Sequence, residues 1–258
     1  PIVTPNPFMI VASYITPTFN PLYPVGWSVS LAVVEGAFRR VIERAKELGG
    51  ESVVLTFDPH PRYVLGTGED MLLLSTLEEK IELLARAGVD NLIVIPFTRE
   101  FSQQTPEEFL RNGLTRIGIE RLVVGYNHRF GHNKEGDYNY LEREDRSFKI
   151  EMVEQQLIHD NKVSSTIIRK AIEEGDMAQA SVLLSHPYLI ICNIDKEGVV
   201  NNVDNQKLLP QEGVYEIKAN GQPCKLKISE NRELSLIGWS DLADRISPNK
   251  SKVILELI

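Results

Sequence analysis

The chain has 258 residues, 42% hydrophobic and 25% charged, with a formal net charge of −8. Those values suit a folded protein of one large domain or two small ones, and exclude a disordered chain, a collagen-like chain and a disulfide scaffold. The acidic balance argues against a general nucleic-acid or anionic-membrane binder, and two cysteines, Cys192 and Cys224, fit a reducing, cytoplasmic setting.

The charge is unevenly spread. No Asp, Glu, Lys or Arg precedes Glu35, and the same stretch holds six of the 14 prolines. It is apolar, but Pro17, Pro21 and Pro24 would repeatedly break a membrane-spanning helix. A basic start and a small-residue cleavage site, which a signal peptide needs, are not evident. The stretch reads as buried strand and loop, with the strand at 8–15 or at 29–34.

From residue 38 the pattern becomes regular. Residues 38–48 place apolar side chains at helical spacing, and Gly49-Gly50 ends that helix. Residues 52–57 (SVVLTF) read as a strand buried on both faces. A helix over 76–87 is opened by Ser75 or Thr76, with Glu78 and Glu79 in its first turn. Residues 91–96 (NLIVIP) form the next strand. Thr105-Pro106-Glu107-Glu108 starts a helix, with Thr105 as N-cap and Pro106 at the first helical position. Strands over 121–125 and 147–153 follow, then a helix over 164–174. Alternation of strands and helices at short intervals predicts a parallel sheet with crossover helices, a Rossmann-like α/β domain over residues 1–187.

After Tyr188 the helical periodicity disappears. Short apolar runs recur at 188–194, 213–219, 223–228, 233–239 and 252–258, separated by Gly, Asn, Pro and Asp. They predict a small antiparallel β-barrel-like domain over residues 188–258.

In a parallel sheet ligands bind beyond the carboxyl ends of the strands. Three segments are candidates. In TFDPHPR (56–62), Phe57 offers a ring to stack on, Asp58 a carboxylate for a cation or hydroxyl, and His60 a contact for an anion; a proline-rich turn with an aromatic plug is the plain alternative. In GYNHRFG (125–131), Asn127, His128 and Arg129 offer donors between glycines that allow close backbone approach; a solvated loop is the alternative. In VSSTIIR (163–169), hydroxyls stand at a helix start, where free N–H groups and the dipole favour an anion, and Arg169 lies one turn beyond Ser165 and Thr166. Ser and Thr are also ordinary N-caps. His159 and His186 lack spaced metal partners and read as structural, as do both cysteines. No metal site is predicted.

Several quoted segments, in this order, resemble the bacterial bifunctional riboflavin kinase/FAD synthetase family. They are RRVIERAKELGGESVVLTFDPHPR (39–62), PFTREFSQQTPEEFLR (96–111), LVVGYNHRFG (122–131) and VSSTIIRKAIEEGDMAQASVLLSHPY (163–188). The resemblance implies a nucleotidyltransferase domain that joins FMN and ATP into FAD and pyrophosphate with Mg²⁺ as an aid, followed by a riboflavin kinase barrel. It implies that Ser165, Thr166 and Arg169 bind ATP phosphates, that Asn127 and Arg129 lie at the nucleotide loop, and that Phe57, Asp58, His60 and Pro61 border the flavin. The implied partners are a small-molecule flavin and a nucleotide, with no nucleic acid or membrane; no oligomeric state follows.

Two departures stand out. The family carries Gly-x-Phe-Asp-Gly-x-His-x-Gly-His before its first helix, whereas this chain reads SLAVVEGAF before Arg39 and has no histidine before His60. The stretch 18–23 loosely resembles the start of a nucleotidyltransferase signature, with Tyr23 where a histidine belongs. In the second half, KLLPQEGVY (207–215) resembles the kinase, but the preceding Gly-rich and Pro-Thr-Ala-Asn segments are replaced by DKEGVVNNVDN (195–205). The expectation is therefore FMN adenylyltransferase activity with riboflavin kinase activity lost. The alternative is a non-catalytic flavin- or nucleotide-binding relative acting as sensor, carrier or partner subunit.

Overall fold

The structure is a computed structural model. It describes residues 8–12, 31–68, 70–125, 128–143, 147–153, 157–158, 161–162, 165–246 and 252–258. The chain packs as two compact units, one formed by β1 (Phe8–Ala12) with Val33–Asp70 and Ile81–Lys162, the other by Met71–Lys80 and Val163–Ile258. The helices after residue 163 thus fall with the second unit, whereas the expected domain boundary stands at residue 188.

The first unit contains one parallel sheet. Its strands are β1, β2 (Glu51–Asp58), β3 (Asn91–Pro96), β4 (Ile119–Gly125) and β5 (Lys149–Val153), in the order β3-β2-β1-β4-β5. β1 pairs in parallel with both β2 and β4, so the chain direction across the sheet reverses between β1 and β4. That reversal creates the crevice in which such sheets bind ligands. Of the two expected locations for the first strand, 8–12 is the one that forms it. Residues 31–34 instead open α1 (Leu31–Leu48), 18 residues long. Residues 18–23 lie outside the described residues.

β2 is enclosed on both faces: Ser52, Val53, Val54, Leu55 and Thr56 are all buried. Its apolar positions join Leu110, Leu114, Leu122, Val124 and Leu141 in the core, each such side chain contributing about 1.5–3 kcal/mol. Buried Ser52 is satisfied by Asp90, which accepts from its amide at 2.8 Å and its hydroxyl at 2.6 Å. Those bonds hold the Asp90 carboxyl below its ordinary pKa.

Local sequence rules explain the connections. α2 (Pro61–Val64) follows β2, and α3 (Leu77–Ala87) leads to β3. α4 (Arg99–Ser102) and α5 (Pro106–Phe109) come next; Thr105 and Glu108 form the expected capping box around Pro106. A π-helical turn over Leu110–Leu114 and α6 (Thr115–Ile117) complete this crossover. It ends at Gly118, whose φ of +76° suits a residue without Cβ. α7 (Tyr138–Arg143) precedes β5. Glu151 on β5 receives Arg121 at 2.9 Å and both Arg44 and Arg40 at 3.1 Å, fastening α1 to the sheet edge. β6 (Leu157–Ile158) and β7 (Asn161–Lys162) form a short antiparallel pair.

The second unit holds α8 (Ser165–Glu173), α9 (Met177–Leu184) and a closed antiparallel barrel. The barrel strands are β8 (Tyr188–Ile194), β9 (Val199–Asn201), β10 (Gly213–Ala219), β11 (Gln222–Ile228), β12 (Leu234–Ile237) and β13 (Val253–Leu257), in the order β10-β11-β12-β9-β8-β13. The expected barrel-like domain is therefore present. Three elements of this unit were not expected: α9, β9 and α10 (Trp239–Ile246), the last interrupting the strands between β12 and β13.

A buried ion pair organises this unit. The Lys207 ammonium donates to Glu79 at 2.6 Å and to the Leu74 carbonyl at 2.8 Å, and lies 3.9 Å from the centre of the Tyr188 ring. The Tyr188 hydroxyl donates to the Leu208 carbonyl at 2.7 Å. Glu79 also accepts from the Thr76 amide at 2.9 Å, which makes Thr76 the cap of α3. Burial pushes the Cys192 thiol up to about 12, so it is an inert core residue rather than a nucleophile.

Among the described residues no helix is long and apolar enough to cross a membrane.

Candidate functional site

Three segments at the carboxyl ends of β2, β3 and β4 enclose a cavity of about 300 Å³ in the first unit. Its walls are aromatic. Phe57 leaves the end of β2, Phe97 and Phe101 follow β3, Phe109 ends α5, and Phe130 lies beyond β4, so five of the nine phenylalanines gather here. Ring centroids stand 5.5 Å apart for Phe57–Phe97 and Phe57–Phe101, and 6.0 Å apart for Phe109–Phe130, mostly tilted or edge to face. Such rings offer a flat apolar ligand both faces and edges.

The segment after β4 supplies the polar groups. His128 is buried and stacks on Phe130 at 5.5 Å with the planes 21° apart. Burial, reinforced by the Arg129 charge, lowers its pKa to about 4 and keeps the imidazole neutral at pH 7. Arg129 lines the cavity and is ion-paired with Asp137. Asp137 also accepts from the Tyr140 amide at 2.7 Å, which fixes it at the start of α7.

Two glycines set the shape of this segment. Gly131 has a φ of +75°, and a Cβ there would stand 2.7 Å from Pro106. A Cβ on Gly136 would stand 2.7 Å from the Phe130 ring. Phe130 and Gly136 exchange backbone hydrogen bonds of 3.0 Å, and the His132 amide donates to the Gln104 carbonyl at 2.7 Å. The segment is thereby tied to itself and to the end of α4.

The residues expected from sequence fall into separate groups. Phe57, Pro61 and Arg129 line the cavity together. Asp58 is exposed at the end of β2. His60 is buried, and its Nδ1 accepts from the Arg62 amide at 3.2 Å, capping α2. Asn127 lies outside the described residues. Ser165, Thr166 and Arg169 stand on α8 in the second unit. Ser165 is 1% exposed, and its hydroxyl has no hydrogen-bond partner among the described residues. Thr166 is exposed and Arg169 half-buried, close enough to Tyr188 for its charge to be felt there.

The sequence reading passed over Phe97, Phe101, Phe109, Phe130 and Lys134 as site residues. The available signal was the clustering of phenylalanines just past strand ends. Among the described residues no group of three or more His, Cys, Asp or Glu is placed to hold a metal ion.

The family model described as FAD synthetase matches residues 36–167, more than half of the chain. The chain is similar to a bifunctional riboflavin kinase/FMN adenylyltransferase of Listeria monocytogenes, with 36% identity over 70% of this chain and 64% of that one. A Bacillus subtilis protein of the same description is 31% identical, again over 64% of its length, so the chain spans just under two thirds of these bifunctional relatives. A second Listeria protein, described as FAD synthetase, is 31% identical over 78% of this chain and 81% of its own. A solved structure described as a macrolide-efflux protein from Streptococcus pneumoniae superposes with a TM-score of 0.74 over 98% of this chain and 93% of that one; at 20% identity the likeness is one of fold. The matched segment contains β2 to β5 of the sheet, the aromatic cavity and the start of α8, and on these matches the chain belongs to the FAD synthetase family.

Proposed function

We propose that this protein transfers AMP from ATP to FMN, giving FAD and pyrophosphate. The observation that carries the reading is the aromatic cavity at the carboxyl ends of β2, β3 and β4, whose walls suit a planar ring system. Phe57, Pro61 and Phe130 hold the flavin there.

ATP is assigned to the start of α8. The first amides of a helix lack intrahelical partners and carry the positive end of its dipole. Ser165 adds a buried hydroxyl with no partner among the described residues, and Arg169 adds a fixed positive charge one turn on. Thr166 completes the proposed set on α8; the family resemblance adds Asn127, which lies outside the described residues.

In the reaction an oxygen of the FMN phosphate bonds to the α-phosphorus of ATP. The bond between that phosphorus and the oxygen bridging to the β-phosphate breaks, and pyrophosphate leaves with the electron pair. No covalent enzyme intermediate is needed; the protein aligns two anions and offsets their charge. Mg²⁺ is assigned to the ATP itself, as part of the substrate complex. Riboflavin phosphorylation is proposed to be lost, because DKEGVVNNVDN replaces the Gly-rich and Pro-Thr-Ala-Asn segments.

A second reading has its own support. The two histidines of the family's Gly-x-Phe-Asp-Gly-x-His-x-Gly-His segment, which the resemblance implies contact ATP phosphates, have no counterpart here, since no histidine precedes His60. If each acted like one donor to a developing oxyanion, their loss would cost about two or more orders of magnitude in rate. A non-catalytic flavin or nucleotide binder would tolerate that loss. Incubation with FMN, ATP and Mg²⁺, followed by chromatography, separates the two: FAD formation supports the transferase, and flavin binding without FAD supports the binder.

A further inference from the structure

We infer that Lys134 holds the phosphate of flavin mononucleotide and makes the aromatic cavity selective for the phosphorylated flavin over riboflavin. This rests on the reading of that cavity as a flavin site.

The charge of the cavity carries the inference. The protein as a whole is acidic at −8, yet none of the described residues lining the cavity is Asp or Glu. The lining basic groups are not equivalent. Arg129 is already paired with Asp137, and His128 is held neutral by burial. His132 directs Nδ1 toward the Ser102 carbonyl at 3.4 Å. Lys134 lines the cavity, is half-buried, and has no ion-pair partner among the described residues. Burial without a counter-charge disfavours its ammonium, which lowers its pKa. A bound anion would supply the missing charge.

The backbone holds this lysine in place. Asn133 and Lys134 adopt φ of +51° and +60°, a left-handed region that residues with a Cβ avoid. The turn persists because its surroundings fix it: the Lys134 amide donates to the Gly131 carbonyl at 3.1 Å, the His132 amide is tied to Gln104, and Gly131 is wedged against Pro106. Lys134 is therefore held in the cavity lining by an anchored turn. An ammonium is a point charge that suits a phosphate oxygen, and riboflavin has no such group.

The test is titration of wild type, Lys134→Met and Lys134→Arg with FMN and with riboflavin, followed by flavin fluorescence. The expected result is a rise of about tenfold or more in the Kd for FMN in Lys134→Met, the size of one lost charge-assisted contact. Riboflavin affinity should stay within about twofold, which also shows that the cavity is intact, and Lys134→Arg should retain most FMN affinity. Equal weakening of both flavins, or unchanged FMN affinity, overturns the inference while leaving the flavin site standing. Failure of the wild type to bind either flavin overturns the flavin reading and this inference with it.

Discussion

Replacing Gly136 by alanine puts a methyl group where the Phe130 ring now stands. The added Cβ would lie 2.7 Å from Cε1 and Cζ of that ring, against about 3.5–4.0 Å for comfortable carbon contacts. The ring has to retreat by about 1 Å. It cannot do so freely, because His128 stacks on it at 5.5 Å and Phe109 and Tyr140 stand 6.0 Å away. Overpacking of this kind costs about 1–3 kcal/mol, or roughly 2–4 °C in Tm for each kcal/mol in a protein of this size. Since Phe130 also forms a wall of the cavity, Gly136→Ala should lower FMN affinity by about tenfold. Thermal unfolding and FMN titration of the same preparation read both effects. A variant with unchanged Tm and unchanged FMN affinity would refute the argument that this glycine seats a binding-wall ring.

Three further outcomes follow from the same structure. Lys207→Met leaves the Glu79 carboxylate buried without its cation and should destabilise by about 3–5 kcal/mol in denaturant unfolding; combining it with Glu79→Met should recover part of that loss, and a double variant as weak as the two losses summed would contradict the buried-pair account. His128 is neutral in the folded and unfolded chain above pH 6.5, but between pH 6.5 and about 4 only the unfolded chain takes up the proton. Stability should therefore fall across that window by about 1.4 kcal/mol per pH unit, levelling off below it, and His128→Phe should flatten this part of the profile; an unaltered slope would contradict the buried neutral imidazole. Arg169→Ala should weaken ATP binding by about tenfold while changing FMN binding little, as measured by calorimetry, and equal effects would contradict the phosphate role assigned to α8.

Local chemistry was the legible part of the fold. Thr105-Pro106-Glu107-Glu108 announces its own capping box, and SVVLTF its own buried strand, because the interactions that fix them lie within a few residues. The first 34 residues lacked such punctuation, so the apolar stretches 8–15 and 29–34 looked alike as strands. The parallel pairing that selects 8–12 comes from β2 and β4, about forty and more than a hundred residues away. α10 was hidden differently: Trp239, Leu242, Ala243 and Ile246 do follow helical spacing, but one short amphipathic turn among strands reads as another apolar run.

The site divided the same way. Phe57 and Arg129, named from the strand ends, and Pro61, named from the family resemblance, all line the cavity. Phe97, Phe101 and Phe109 were passed over because their meeting depends on two crossovers folding toward one point. His60 looked like an anion contact by residue type, yet its Nδ1 is occupied in capping α2. The neutrality of His128 and the uncompensated charge of Lys134 are properties of burial and of absent neighbours among the described residues, and a sequence does not display either.

The proposed reaction is tested most directly with ATP labelled at its α-phosphorus, incubated with FMN and the full chain. Adenylyl transfer predicts that the label appears in FAD while the released pyrophosphate stays unlabelled. Label that remains wholly in ATP, under conditions in which FMN is bound, would contradict the transferase account and leave the chain a binding member of its family.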